Sequence, residues 1–158
     1  MSVRPPSKVV FYTFKGVKMS LPCLCVNENA PPMSLLTLIA KHYVIDLRSS
    51  GTSWGILFSL GKGVIASVIM SEYAYCEPRE YCNSINDYSR VEVAFKKENS
   101  SEWFNVVEFL ELQNDDDELS NNIKDMFQNS EYYLCPYAQI VDVDTLFTLI
   151  KEAMYEDF

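Results

Sequence analysis

The chain has one histidine, five glycines and no long apolar run. The single histidine and the lack of a long apolar run each disfavour a class of protein. A mechanism that pairs a serine or cysteine nucleophile with a histidine would have to use His42. No Gly-X-Ser-X-Gly elbow accompanies that residue. His42 is instead expected to be a surface histidine or a histidine in the last turn of a helix, where a positive charge is favoured. The sequence therefore disfavours an enzyme that works through a nucleophilic triad.

Membrane and export signals are also missing from the sequence. A transmembrane helix needs ~18 or more consecutive apolar residues, and no stretch reaches that length. Residues 1–6 carry one arginine and two prolines without an apolar segment behind them, so no signal peptide is predicted. The five cysteines are then expected to be reduced thiols in the cytoplasm, and their odd number argues against a complete disulfide framework.

Core-forming residues are plentiful. The 158 residues are 48% hydrophobic and include nine Phe, ten Tyr and two Trp, which is enough for one packed domain over residues 1–158. Residues 1–7 are expected to be disordered. The fold predicted for the chain is α+β, with a mostly antiparallel sheet and three helices at 34–43, 118–129 and 143–156.

Several segments have the composition of strands. The strongest signal is the pair 54–60 and 64–70 around Gly61-Lys62-Gly63, which predicts a hairpin. Because both runs are almost continuously apolar, we expect them to be covered on both faces, by helices, a second sheet or a partner chain. Other strands are predicted at 9–14, 17–26 (with Pro22 at an edge or bulge), 44–47, 90–97, 103–112 and 132–141, and residues 73–89 are predicted to form a long loop.

The charge of the chain is distributed unevenly. Residues 98–158 hold two basic residues against 15 acidic ones, whereas residues 1–97 hold 11 basic residues against 7 acidic ones. A dense acidic segment either keeps the protein in solution or binds a basic protein. The candidate partner-binding residues lie in and around a predicted acidic loop at 113–118, and they are Glu111, Asp115, Asp116, Asp117 and Glu118.

Neither metal ions nor other cofactors are predicted. Cys23, Cys25, Cys76 and Cys82 could supply four thiolates, but their spacings of one and five intervening residues differ from the two to four of structural zinc sites. An EF-hand frame that starts at Asp115 has serine at the position that requires glycine, and methionine at the position of the bidentate glutamate.

The leading hypothesis is a non-enzymatic interaction or regulatory protein that binds a protein partner, of basic character if the acidic segment is used, and that associates with itself through the hairpin 54–70. One alternative is an enzyme or small-molecule-binding domain with a pocket lined by Cys76, Tyr81, Cys82 and Tyr88. A second alternative is a binder of single-stranded nucleic acid, because basic and aromatic residues interleave in the first hairpin. The net charge of -9 disfavours that second alternative.

Overall fold

The computed structural model describes residues 9–14, 17–22, 33–110 and 118–155. The predictions for residues 1–7, for Cys23 and Cys25, and for most of the acidic segment lie outside these ranges. For the rest, the predicted α+β class is confirmed by a five-stranded antiparallel sheet with four helices.

The elements follow one another in mixed order along the chain. The strands are β1 (Val9–Phe14), β2 (Val17–Pro22), β3 (Tyr43–Ser49), β4 (Ser53–Gly61), β5 (Val64–Ser71), β6 (Arg90–Lys97) and β7 (Leu134–Gln139). The helices are α1 (Leu35–Lys41), α2 (Val106–Phe109), α3 (Glu118–Asp125) and α4 (Ile140–Tyr155), and a single 3-10 turn lies at Ile85–Asp87.

The main sheet is a meander. Its strands lie in the order β3-β4-β5-β6-β7, each antiparallel to its neighbour, and β1 pairs with β2 in a separate two-stranded sheet. The tight turn between β4 and β5 has positive φ angles at Gly61 (98°), Lys62 (48°) and Gly63 (79°), a conformation in which glycine carries no steric penalty. The meander leaves two edges, β3 and β7.

One face of the sheet carries the hydrophobic core. Ile56 and Phe58 of β4 and Phe95 of β6 are fully buried there, and the ring of Phe147 on α4 lies 5.2 Å from that of Phe58. Leu35 and Leu38 fix α1 in the same core. We call this side of the sheet the helix face and the other side the second face.

Among the described residues, the chain itself covers only one face of the central hairpin for much of its length, so cover of the other face by a partner chain stays a prediction. Burial alternates along β4, and on the second face Leu57 and Ser67 are half-buried while Ile69 is exposed. Ile65, by contrast, is buried. Glycine and serine occupy four of the five second-face positions of β4, with Leu57 at the fifth, and this weak alternation marks its wetter face.

The strand predicted at 103–112 is wrong, because Val106–Phe109 in its middle forms the helix α2. Asn105 caps the helix, its side-chain oxygen accepting a hydrogen bond from the Glu108 N–H at 2.9 Å. Val106, Val107 and Leu110 then point into the core at helical spacing. Trp103 precedes the helix and forms only an isolated bridge with Lys96.

The three predicted helices exist with shifted ends. Ser34 caps α1, but the helix stops at Lys41 and Tyr43 already belongs to β3. The helix predicted to reach residue 129 ends at Asp125. The last helix begins at Ile140, directly after β7 and before its predicted start at 143, so that Asp142 lies in its first turn. Among the residues that the structure describes, no helix combines the length and apolar character needed to cross a membrane.

Candidate functional site

His42 is buried at the junction of α1 and α4. It is the C-cap residue of α1, and its side chain is 1% exposed. Its Nε2 lies 2.7 Å from Oδ1 of Asp144, and its Nδ1 lies 2.7 Å from Nζ of Lys151, both on α4. Lys41 donates to the other oxygen of Asp144, also at 2.7 Å. The prediction of a histidine at a helix C-terminus is confirmed, but the predicted surface exposure is wrong.

The hydrogen bonds of this group fix the state of the imidazole. A lysine ammonium only donates, so Nδ1 of His42 accepts from Lys151 and Nε2 carries the proton that is donated to Asp144. Burial lowers the pKa of His42, the hydrogen bond to Asp144 opposes that shift, and the nearby charge of Lys151 adds to it. Burial likewise lowers the pKa of Lys151. His42 is therefore a neutral imidazole near pH 7.

This arrangement is suited to holding helices together. A histidine that acts as a general base needs one ring nitrogen within reach of the substrate, and here both nitrogens of His42 are occupied inside the protein. The ring also packs edge-on against Phe147, with 5.2 Å between ring centroids. The group joins the end of α1 to one face of α4.

Sequence reasoning missed the partners of His42. Asp144 and Lys151 interrupt the apolar pattern of α4 seven residues apart, and Thr148 lies between them. On a helix these three positions share one face. A polar stripe that runs along an otherwise buried helix is the signal that could have identified them.

The long loop at residues 73–89 is held by its own polar contacts. The Tyr88 hydroxyl donates to the Glu80 carbonyl at 2.7 Å and accepts from the Cys82 N–H at 2.8 Å. Burial raises the pKa of Tyr88 to about 12, so the phenol stays protonated. Trp54 donates from its indole nitrogen to the Cys82 carbonyl at 2.8 Å and stacks on Tyr81.

One alternative drawn from the sequence is a pocket lined by Cys76, Tyr81, Cys82 and Tyr88, and the structure shows where these four side chains lie. Cys76 and Tyr88 are buried, and the Cys76 thiol donates to the Ser71 carbonyl at 3.2 Å. Tyr81 lines a depression of about 610 Å³ together with Thr52, Tyr73 and neighbouring residues. The structure thus brings Tyr81, Cys82 and Tyr88 together mainly through the bonds that shape the loop.

Most of the acidic candidates lie outside the described residues. Glu111, Asp115, Asp116 and Asp117 belong to that part, and Glu118 is the exposed first residue of α3. The side chains of β1 and β2 are likewise not described, so the nucleic-acid alternative stays a prediction. Within the described ranges, no cluster of three or more His, Cys, Asp or Glu side chains is placed to hold a metal ion. Cys23 and Cys25 lie outside those ranges, and a metal-free cysteine set stays a prediction.

The outer edge of β3 is the most exposed apolar feature that the structure describes on a strand. Tyr43 is 72% exposed, Ile45 47% and Leu47 45%. On its inner side β3 pairs with β4, with a bulge at Ile45 between the Val44 and Asp46 pairs. No other described strand pairs with its outer side.

Charged residues lie on this edge beside the apolar ones. Asp46 and Arg48 are two residues apart, and the Arg48 Nε donates to the Asp46 carboxylate at 2.7 Å. Both point to the second face, where they line a depression of about 320 Å³ with Gly55, Leu57 and Ile69. Leu47 points to the helix face because it lies opposite the buried Ile56.

Comparison with protein families, curated proteins and solved structures finds no match to this chain. Its function is therefore argued from its own residues.

Proposed function

We propose that this protein acts inside the cell by binding other proteins, without catalysis, and that the outer edge of β3 is its binding surface. The observation that carries the proposal is an edge strand of seven residues with three exposed apolar side chains and no described partner strand. A row of unpaired N–H and C=O groups is a template for an extended segment of another chain.

The edge lacks most of the features that keep strand edges apart. Natural edge strands are often protected by lysine, by proline or by inward-pointing charges. Tyr43–Ser49 contains neither lysine nor proline, and its only charged residues are Asp46 and Arg48. Its bulge at Ile45 leaves Asp46–Ser49 in regular pairing with β4. An added strand would hydrogen-bond there and cover Leu47.

Two further observations support the proposal. The single histidine is buried with both ring nitrogens occupied, which favours a structural role over general-base catalysis. Cys76 and Cys82 carry thiols and form no disulfide. Reduced thiols are typical of the cell interior.

A photocrosslinker at Tyr43 tests this surface directly. Benzoylphenylalanine in place of Tyr43 should give a discrete covalent adduct with a protein when the full chain is expressed in its native cell, because Tyr43 is the most exposed apolar residue on the edge. The adduct is detected by gel shift and identified by mass spectrometry.

The opposite edge of the sheet supplies the matched control. Tyr137 on β7 is also exposed, but the loop at residues 73–89 hydrogen-bonds to its backbone. The same probe at Tyr137 should give no discrete adduct. Adducts from Tyr137 alone, or equal smears from both positions, would overturn the assignment of the binding surface to β3.

The acidic residues Glu111, Asp115, Asp116, Asp117 and Glu118 are a second surface of the same proposal. If they meet a basic protein, replacing Asp115, Asp116 and Asp117 with Asn should slow association and weaken its salt dependence, because rim charges act mainly on the association rate. Unchanged rates in surface plasmon resonance would leave this segment with solubility as its role.

A further inference from the structure

We infer that the strand added to β3 is β3 of a second copy of this chain, antiparallel to the first and related to it by a twofold axis at Leu47. The inference rests on the proposed function, in that it takes the β3 edge as the binding surface. What it adds is the identity of the partner and the register of the pairing.

Twofold pairing of a strand with itself has a simple geometry. In an antiparallel pair that is symmetric about one residue, positions equally far from that residue lie opposite each other and share a face. With the axis at Leu47, Asp46 of one copy lies opposite the partner's Arg48, and Arg48 lies opposite the partner's Asp46. Each carboxylate then has a guanidinium from its own chain and one from the other chain.

The charges on the edge discriminate between registers. An axis at Asp46 would place two carboxylates opposite each other, and an axis at Arg48 would do the same with two guanidinium groups. Like charges directly opposite each other destabilise a strand pair, whereas opposite charges stabilise it. An axis at Ile45 would fall on the bulge and place Asp46 opposite the partner's Val44. The axis at Leu47 satisfies both charges and uses the regular part of the strand.

The apolar residues fit the same register. Leu47 points to the helix face, so the two copies of Leu47 would meet at the axis on that side. Leu36 on α1 is 53% exposed, and α1 packs against β3 on this side of the sheet. Apolar contact then forms on one face of the extended sheet and charge pairing on the other.

The area that the two β3 strands bury on pairing sets the expected stability of the dimer. Stable interfaces bury ~1,200–2,000 Å² in total, and weak, transient contacts lie below that range. Pairing one seven-residue strand with its copy belongs to the lower class, so we expect a dimer that dissociates in the micromolar range. Sedimentation velocity of the full chain over a range from about 1 to 200 µM should show the weight-average mass rising above 18.2 kDa.

Charge reversal tests the register. In Asp46→Arg the edge carries two arginines, and in Arg48→Asp it carries two aspartates, so each variant would place like charges opposite each other twice in a homodimer. Each should associate with itself at least about tenfold more weakly than the wild type. An equimolar mixture of the two variants restores both opposite-charge pairs and should associate about as well as the wild type.

The mixture separates pairing from misfolding, because a folding defect in one variant is not repaired by adding the other. The double variant D46R/R48D also restores complementarity and should dimerise alone. Weak association of the mixture and of the double variant would overturn the register, and a wild type that stays at 18.2 kDa throughout would overturn the inference itself.

A cysteine at the axis gives an independent readout. Residues opposite each other in antiparallel strands have Cα atoms ~4.5–5.5 Å apart, which lies within the range that a disulfide spans. Leu47→Cys should therefore form a covalent dimer under mild oxidation. Ile45→Cys is the matched control, because its two copies would lie about 13 Å apart, four residues along the strand. Equal crosslinking of the two variants, after subtraction of the wild type, would contradict the Leu47 axis.

The two proposals fail differently. If the probe at Tyr43 captures a different protein and no second copy, the β3 edge is still a binding surface but the self-pairing is wrong. If Tyr43 captures nothing and the wild type is monomeric, both are wrong.

Discussion

The two edges of the sheet are built from strands of similar length but are treated differently by the rest of the chain. At β7, Tyr137 donates its N–H to the Tyr75 carbonyl at 2.9 Å, and Arg90 donates to the Tyr137 carbonyl at the same distance. Pro136 has no N–H to leave unpaired. At β3 the structure describes no comparable contact along the outer side, and three apolar side chains are exposed.

The difference lies in what each strand is connected to. β7 runs directly into α4, and the loop at residues 73–89 accepts a hydrogen bond from its Tyr137 N–H, so the chain itself pairs part of that strand's free backbone. β3 follows α1 after a single residue, His42, whose ring binds Asp144 and Lys151 of α4 and so joins the end of α1 to α4. His42, Asp144 and Lys151 therefore support the position of β3, and no described strand covers its outer edge. This is the arrangement that a strand-binding surface needs.

The largest expected loss of stability comes from removing His42, which joins the end of α1 to α4. His42→Ala removes a buried ring that packs against Phe147 and the hydrogen bonds that this ring makes to Asp144 and Lys151. The loss of two buried hydrogen bonds and of a packed ring costs about 3 kcal/mol, so the free energy of unfolding in urea should fall by about that amount. Leu36→Ala is the control, since Leu36 lies on the same helix but is exposed. Equal losses in the two variants would show that the group contributes little.

The second effect is a loss of stability in mild acid. Burial places the folded pKa of His42 below its ordinary value of 6.5. Between the folded pKa and 6.5 the unfolded chain binds more protons, so the free energy of unfolding rises with pH in that window, by up to about 1.4 kcal/mol per pH unit. The contribution is fully present above pH 6.5 and is lost as the pH falls.

A variant without the histidine isolates the contribution of His42 to the pH dependence of the unfolding free energy. Burial also raises the pKa of Glu92. Just above pH 4.5, Glu92 therefore makes the free energy of unfolding fall as the pH rises, which is opposite to the effect of His42. His42→Asn retains Glu92, so subtracting its urea-unfolding profile from that of the wild type leaves the histidine contribution. Parallel profiles between pH 5 and 7 would contradict a neutral, buried His42.

These two effects concern residues that the sequence only half identified. The helix end at His42 followed from Ser34 and the apolar spacing of residues 35–39, which is local information. The burial of His42 depends on Asp144, which lies 102 residues further along the chain. No local pattern links the two. The polar stripe on α4 could have suggested a buried partner, but not which one.

The strands show the same limit. β6 lies at residues 90–97, as its alternating pattern predicted, because alternation directly reports one buried face. The segment 103–112 was assigned to the wrong class, since a short apolar run fits a strand or a helix equally and the Asn105 cap decided the outcome. The exposure of β3 was not predictable either, because the position of a strand at the sheet edge is set by the order of all five strands.

A third, smaller loss of stability is expected when a contact at β7 is removed. Arg90→Ala removes the hydrogen bond to the Tyr137 carbonyl and the ion pair with Glu77, whose closest atoms are 3.3 Å apart. Both contacts are partly exposed, so we expect a loss of about 1 kcal/mol in unfolding free energy. Hydrogen exchange should quicken at the Tyr137 amide relative to the β6 amides. Arg90→Lys, which keeps the charge but not the planar donor geometry, should show part of the same change. Unchanged exchange in both variants would mean that Arg90 does not close the β7 edge.

The smallest expected effect is at the open edge itself. Ile45→Lys places a charge on a side chain that is already 47% exposed, so the unfolding free energy measured at low protein concentration should change by less than about 0.5 kcal/mol. Lysine on an edge opposes strand addition, and the same variant should give no adduct from the probe at Tyr43. Its matched comparison is Ile69→Lys, which is similarly exposed but lies on the second face of β5, inside the sheet. A loss of binding with Ile69→Lys and not with Ile45→Lys would move the binding surface from the edge to that face.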